Sequence, residues 1–214
     1  MAIKLPPRYN EKANDSFRTK IRLYMFSKAM NNTWQEFSLE NFRQFRIDPV
    51  LVKEYTTIYW QYEPEYKIRE DLTNDMIQKE IARREVGLKA GIEALRQDYI
   101  TSVFPELFPP DEFVVLTNTE KCAYCGITIP MVTELANKQQ LFKKNYRGWS
   151  LEIDRIDSNK EYSSENCVMA CYWCNNAKTD EFTHEEFMKV GKALREVWEK
   201  RLGKPLTEYI TNIE

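Results

Sequence analysis

CAYCG (122–126), SLEIDRID (150–157) and ENCVMACYWCNNAK (165–178) follow one another in a single stretch of this chain. Two Cys-x-x-Cys pairs, Cys122/Cys125 and Cys171/Cys174, bracket a short acidic segment and run into an Asn-rich, helix-like sequence. Each pair is spaced so that one tight turn aims both sulfurs inward, and four thiolates are the set zinc takes in closed structural sites. The pairs lie about 45 residues apart, wider than the ~15 to 20 of a simple zinc ribbon, so something is housed between them. A structural zinc is the expectation. A redox role for the same cysteines is the alternative, and a catalytic zinc is disfavoured because four thiolates leave no open position. Cys167, in the apolar run CVMAC, is expected to be a buried thiol rather than a fifth ligand.

Between the pairs, SLEID predicts a short strand entering a turn at Asp157, Ser158 and Asn159, and NCVMA predicts its returning partner. A helix then starts at the second cysteine pair. The expected unit is strand, strand, helix, with a zinc at its base.

These residues resemble the HNH endonuclease family, the zinc-anchored branch of the ββα-metal nucleases. The resemblance rests on C-x-x-C-G at Cys122 to Gly126, Asp154 on the first strand, Asn166 before the second, and A-C-x-x-C-N-x-x-K from Ala170 to Lys178, and it covers roughly residues 120 to 190. It implies that Asp154 and Asn175 hold a catalytic divalent cation, Mg2+ or Mn2+, as hard cations prefer oxygen donors. It implies further that Asn166 braces the loop between the strands and that Lys178 meets a phosphate. The family usually carries its proton-accepting His directly after the first-strand carboxylate; here that residue is Arg155, which cannot act as a base at neutral pH. Arg155 is expected instead to clamp the scissile phosphate. His184, the one histidine of the chain, and the carboxylates Glu152 and Asp157 are the remaining candidates for proton transfer or for orienting water.

The resemblance thus implies a metal-dependent DNA endonuclease leaving a 5′-phosphate and a 3′-hydroxyl, by analogy in a phage or anti-phage defence setting. The alternative is a catalytically inactive zinc module that binds DNA or docks a protein.

Bulk properties bound the remainder. In 214 residues, 43% hydrophobic and 30% charged residues describe an ordinary globular chain, and a net charge of −2 gives no global attraction to nucleic acid. Any such attraction must be local. The candidate clusters are Lys4, Arg8, Lys12, Arg18, Lys20, Arg22 and Lys28, and Lys138, Lys143, Lys144 and Arg147, each more simply read as a solvated face. No signal peptide and no run of about 18 apolar residues is visible, so a cytoplasmic location without membrane contact is expected.

The fold class expected is α+β and predominantly helical, with a helical domain over 1–110, the zinc-anchored module over 111–203 and a tail over 204–214. In the first domain, apolar spacing predicts helices over 15–30, from Ser38 to Phe45, over 50–62, and as one long element from Asn74 to Ser102, stopped by Pro105, Pro109 and Pro110. This half is expected to select substrate or to bind a protein partner. Tyr55, Tyr59, Trp60 and Tyr62 are more simply core aromatics than base-stacking ones. EFVVLTN (112–118) predicts a brief strand. Thr183 with Glu186 predicts a capping box opening a helix to Gly203.

Overall fold

α1 runs from Tyr9 to Asn31, starting a full turn and a half before the Asp15 signal because Arg8, in the left-handed region at φ 65°, turns the chain into it. In this computed structural model the described residues are 5–60, 67–141 and 147–206. Lys4, Tyr62, Lys143, Lys144 and residues 207–214 of the expected tail lie outside them, as do the side chains of Tyr59 and Trp60. The chain divides into two units, one formed by residues 1–110 with 159–163, the other by 111–158 with 164–214.

The first unit is built on α1. Phe17, Tyr24 and Met25 are buried along it, and α2 (Leu39–Gln44) follows, capped by Ser38 Oγ on the Asn41 amide. α3 (Pro49–Trp60) is helical despite its β-branched and aromatic content. β1 (Lys67–Arg69) and β2 (Leu72–Thr73) then form a small antiparallel pair that leads into α4 (Asn74–Gly87), with Thr73 Oγ1 capping the Met76 amide.

The long helix expected from Asn74 to Ser102 is broken. α4 ends at Gly87, α5 (Lys89–Asp98) restarts after Leu88, and a π-helical turn over Tyr99–Val103 leads into α6 (Phe104–Leu107). Val86, which fits the apolar rhythm, is 81% exposed; Leu88 packs instead against the α1 core. Pro105 does not stop the helix, because it falls in the first turn of α6, where a missing N–H has no helical partner to lose.

Two lysines of the N-terminal basic cluster are not a solvated face. Lys28 is bonded to Glu36 at 2.7 Å. Lys20 is 2% exposed and sits 3.8 Å from Glu161, over the rings of Phe42 and Tyr99. Around it the donors form a directed chain. The Tyr162 amide donates to Ser16 Oγ (3.1 Å), Ser16 meets the Tyr99 hydroxyl (2.9 Å), and Tyr99 donates to Glu161 Oε1 (2.7 Å). Burial depresses the Lys20 pKa, against the pull of Glu161; removing one partner of such a pair exposes the full desolvation cost of the other.

The second unit opens with α7 (Pro110–Thr117), a helix where EFVVLTN had predicted a strand. Pro110 at its start and Asp111 and Glu112 in its first turn are helix-initiation signals that outweigh the Val114–Val115 doublet. α8 (Ile129–Asn137) follows the first cysteine pair, then β3 (Glu152–Arg155) and β4 (Cys167–Ala170) pair antiparallel with Asp154 opposite Val168. α9 (Tyr172–Lys178) and α10 (His184–Leu202) complete it, the latter with the Thr183–Glu186 capping box and Gly203 in the left-handed region at its end. Among the described residues no helix is long and apolar enough to cross a membrane.

A four-residue hairpin is not stable by itself in water. Here the four cysteines share one core with Val132, Leu135, Met169, Phe187, Trp198 and Leu202, so α8 and α10 cover the hairpin and the cysteine cluster together. Gly191 lets α10 approach: a Cβ there would lie 2.7 Å from the Tyr124 carbonyl oxygen and 2.9 Å from its carbon, both backbone atoms that cannot yield. Gly191→Ala gains up to about 1 kcal/mol of helix propensity, but overpacking against backbone costs about 1–3 kcal/mol. A net loss is expected, read as a lower urea midpoint. Gly87→Ala meets nothing within 4 Å and is expected to stabilise by about 0.4–1 kcal/mol; the opposite ordering would contradict the packing described.

Candidate functional site

Gly126, at φ 76°, closes the first knuckle, with its amide on the Cys122 carbonyl at 2.9 Å. A side chain would be strained there. The knuckle is stitched to the hairpin by the Ala123 amide on the Met169 carbonyl, 2.8 Å. The second pair uses the helix itself: Cys171 is the N-cap of α9 and its Sγ accepts the Cys174 amide.

The four sulfurs of Cys122, Cys125, Cys171 and Cys174 are all buried and lie within 4.8 Å of one another, the Cys125–Cys171 separation being 3.7 Å. A tetrahedron with Zn–S of about 2.3 Å requires sulfurs roughly 3.8 Å apart, so these residues fit a metal such as zinc. Hydrogen bonds from the other three pull the Cys122 thiol down, while those to Cys122 and Cys125 push Cys171 and Cys174 up. Cys167 is buried on β4 and is not part of the cluster.

Strand alternation puts Glu152 and Asp154 on one face of β3, which packs on α9. Asn175 and Lys178, one helical turn apart, meet them there. The pairing differs from the expected Asp154–Asn175 partnership: Asn175 Nδ2 donates to Glu152 Oε2 at 2.6 Å, and Lys178 Nζ lies 3.5 Å from Asp154 Oδ2. Lys178 is fully buried and also donates to the Arg155 carbonyl at 2.7 Å. In this arrangement its ammonium locks α9 to β3, and the expected phosphate contact is not open to it. The Arg147 guanidinium reaches Glu152 Oε1 at 3.1 Å.

Asp154 is 8% exposed and accepts a 2.5 Å hydrogen bond from the Tyr124 hydroxyl, again on Oδ2. Both contacts fall on one oxygen of the carboxylate. Burial raises the Asp154 pKa, against the opposing pull of the Tyr124 hydrogen bond, Lys178 and Arg155. Burial and the Asp154 carboxylate likewise raise that of Tyr124, so its hydroxyl remains a donor throughout the neutral range.

Arg155 ends the strand on the face opposite Asp154 by alternation and is half-buried. Asn166, buried, bonds both ways to Asp157, Oδ1 accepting its amide at 2.9 Å and Nδ2 donating to its carbonyl at 3.0 Å. The loop end of the hairpin is fixed by that pair. Among the described residues the cysteine cluster is the grouping of three or more His, Cys, Asp or Glu side chains close enough to share one ion. A hard cation at Asp154 would therefore rely on waters and phosphate oxygens for most of its ligands, as Mg2+ commonly does.

His184, at the start of α10, lies with its ring centroid 5.6 Å from that of Tyr124 and tilted by 52°, and its buried Nδ1 has no hydrogen-bond partner among the described residues. Burial and then Lys178 lower its pKa, while Asp154 and Glu185 oppose. Its folded pKa thus lies below the ordinary value of about 6.5, so the unfolded chain binds the proton first. Stability is fully present above that value and falls as the pH drops through it toward the lowered folded pKa. His184→Asn is expected to flatten this slope by a fraction of one proton in urea titrations from pH 7.5 to 5; an unchanged slope would contradict it.

Sequence reading missed Tyr124, hidden as one of the two intervening residues of a Cys-x-x-Cys, and named Glu152 as a candidate for orienting water without its partners Asn175 and Arg147. Its position two residues before Asp154 was the available signal.

The fold and the site together define a mostly helical chain carrying a small antiparallel hairpin and a helix over a four-thiolate cluster fit for zinc. No protein-family model and no curated protein matches the chain. Among solved structures it is similar to the rare-cutting HNH restriction endonuclease PacI, with 23% identity over 65% of this chain and 90% of that one, at a TM-score of 0.33.

Proposed function

We propose that the chain is a metal-dependent endonuclease of HNH type that hydrolyses phosphodiester bonds in DNA. The observation that carries this is the grouping of Asp154, Glu152 and Asn175 on one strand–helix seam, tied to the knuckle of a buried four-thiolate cluster by the Tyr124–Asp154 hydrogen bond. Zinc in the clamp is structural, with no open position. Asp154 Oδ1 and Asn175 Oδ1 are the oxygens this chain offers a Mg2+ or Mn2+ ion, which when bound would supply charge stabilisation to the phosphoryl oxygens and lower the pKa of water.

Glu152, held by Arg147 and Asn175, orients the attacking water on the same face. Water adds to phosphorus as its proton passes to Glu152, the bond to the 3′ oxygen breaks, and that oxygen takes up a proton from solvent, leaving a 5′-phosphate and a 3′-hydroxyl. Arg155, on the opposite face of the strand, is left without a part in this step. Asn166 keeps the hairpin loop in register through Asp157, and Lys178 holds the helix to the strand. The helical unit selects the DNA or a protein partner.

One observation favours the rival, a zinc module without hydrolysis that binds DNA or docks a protein. The Lys178 ammonium already offsets the charge of Asp154. The two readings separate on supercoiled plasmid with Mg2+ or Mn2+: nicking that stops with EDTA and with Asn175→Ala supports the enzyme. Binding without cutting supports the rival, and cutting indifferent to both treatments sinks the site assignment.

A further inference from the structure

We infer that Tyr124 is a positioning residue for Asp154, linking the thiolate clamp to the oxygen-rich site; the inference rests on the reading of Asp154 as a cation ligand. Tyr124 stands between two clamp cysteines, so whatever fixes the sulfurs fixes its backbone. Its ring is 4% exposed and is held edge-on against Phe187, with centroids 5.0 Å apart and planes at 89°. α10 presses on its backbone at Gly191, and its neighbour Ala123 is bonded to β4. Every side of the residue is constrained.

A phenylalanine would fill the same space. The hydroxyl is there for its one bond, to Asp154 Oδ2 at 2.5 Å, which together with Lys178 on the same oxygen fixes the rotation of the carboxylate. Oδ1 is thereby presented in one orientation, and a ligand held in advance binds without the entropy cost of being ordered. The first knuckle of the clamp and the carboxylate on β3 are thus tied together through the Tyr124 hydroxyl.

The test uses the full chain with Tyr124→Phe, Phe187→Leu and Asp154→Asn, measuring zinc content, Mn2+ affinity by electron paramagnetic resonance, and the Mn2+ dependence of plasmid cleavage. Tyr124→Phe is expected to keep about one zinc while its Mn2+ affinity falls by about tenfold, within the 10–100-fold typical of residues behind a metal ligand. Half-saturating Mn2+ for cleavage should rise by the same factor, with the rate at saturating Mn2+ within about threefold of wild type. Phe187→Leu, which disturbs the packing and spares the hydroxyl, should leave Mn2+ affinity near wild type.

Wild-type Mn2+ affinity in Tyr124→Phe, an equal loss in Phe187→Leu, or loss of zinc from Tyr124→Phe would each overturn the inference. A wild-type protein that binds no Mn2+ where Asp154→Asn also binds none would overturn the reading of Asp154 itself.

Discussion

Cys174→Ser is expected to empty the clamp, lowering zinc from about one per chain to below about 0.1, and to unfold the unit formed by 111–158 and 164–214. Cys174 is fully buried and sits in the same core as Phe187, Trp198 and Leu202. The hairpin it supports has only four residues per strand, too little to persist alone. Structural zinc contributes an apparent 10–16 kcal/mol in small folds, whereas a whole domain is stable by about 5–15 kcal/mol. The ion therefore outweighs the margin. Limited proteolysis should cut within 111–158 in the variant and in chelator-treated wild type, and spare the zinc-loaded protein. A variant that keeps its protection without zinc would show that the apolar core alone suffices.

Asp154→Asn is expected to lower plasmid cleavage by at least about a hundredfold, since first-ligand losses exceed the 10–100-fold of outer-shell ones. Asparagine is the informative substitution. Its side-chain oxygen still accepts from Tyr124, and Lys178 keeps the Arg155 carbonyl. Both substitutions remove the counter-charge of the fully buried Lys178 ammonium, but Asp154→Ala also removes the acceptor of the Tyr124 hydroxyl, and an unsatisfied buried donor costs about 1–3 kcal/mol more. Loss of activity in the alanine variant would then mix chemistry with unfolding. Asp154→Asn should retain zinc and lose less stability than Asp154→Ala, because it leaves the Tyr124 hydroxyl with an acceptor. Undiminished cleavage in a zinc-loaded Asp154→Asn protein would remove Asp154 from the chemistry.

What the sequence revealed, and what it concealed, follows physical lines. Spaced cysteines mark a metal clamp because the spacing itself is the geometry, and the four sulfurs meet. The capping box at Thr183 was legible because it depends on a local hydroxyl and an amide three residues on. The break at Leu88 and the helix over Pro110–Thr117 were not, because tertiary burial of Leu88 and a first-turn proline overrode apolar periodicity and β-branched content. At the seam, residue types alone could not say that Asn175 would bond Glu152 while Lys178 turned inward to Asp154. Those partners depend on how α9 docks on β3. Tyr124 shows the limit most sharply: its hydroxyl reaches a residue 30 positions away.

The most direct measurement is anomalous diffraction from crystals grown with Mn2+, recorded at the zinc and manganese edges. Two separate peaks are predicted, a zinc peak ringed by the sulfurs of Cys122, Cys125, Cys171 and Cys174, and a manganese peak against Asp154 Oδ1 on the seam with Asn175. A sulfur-bound peak alone, with Lys178 still against Asp154 and no manganese beside it, would contradict the account.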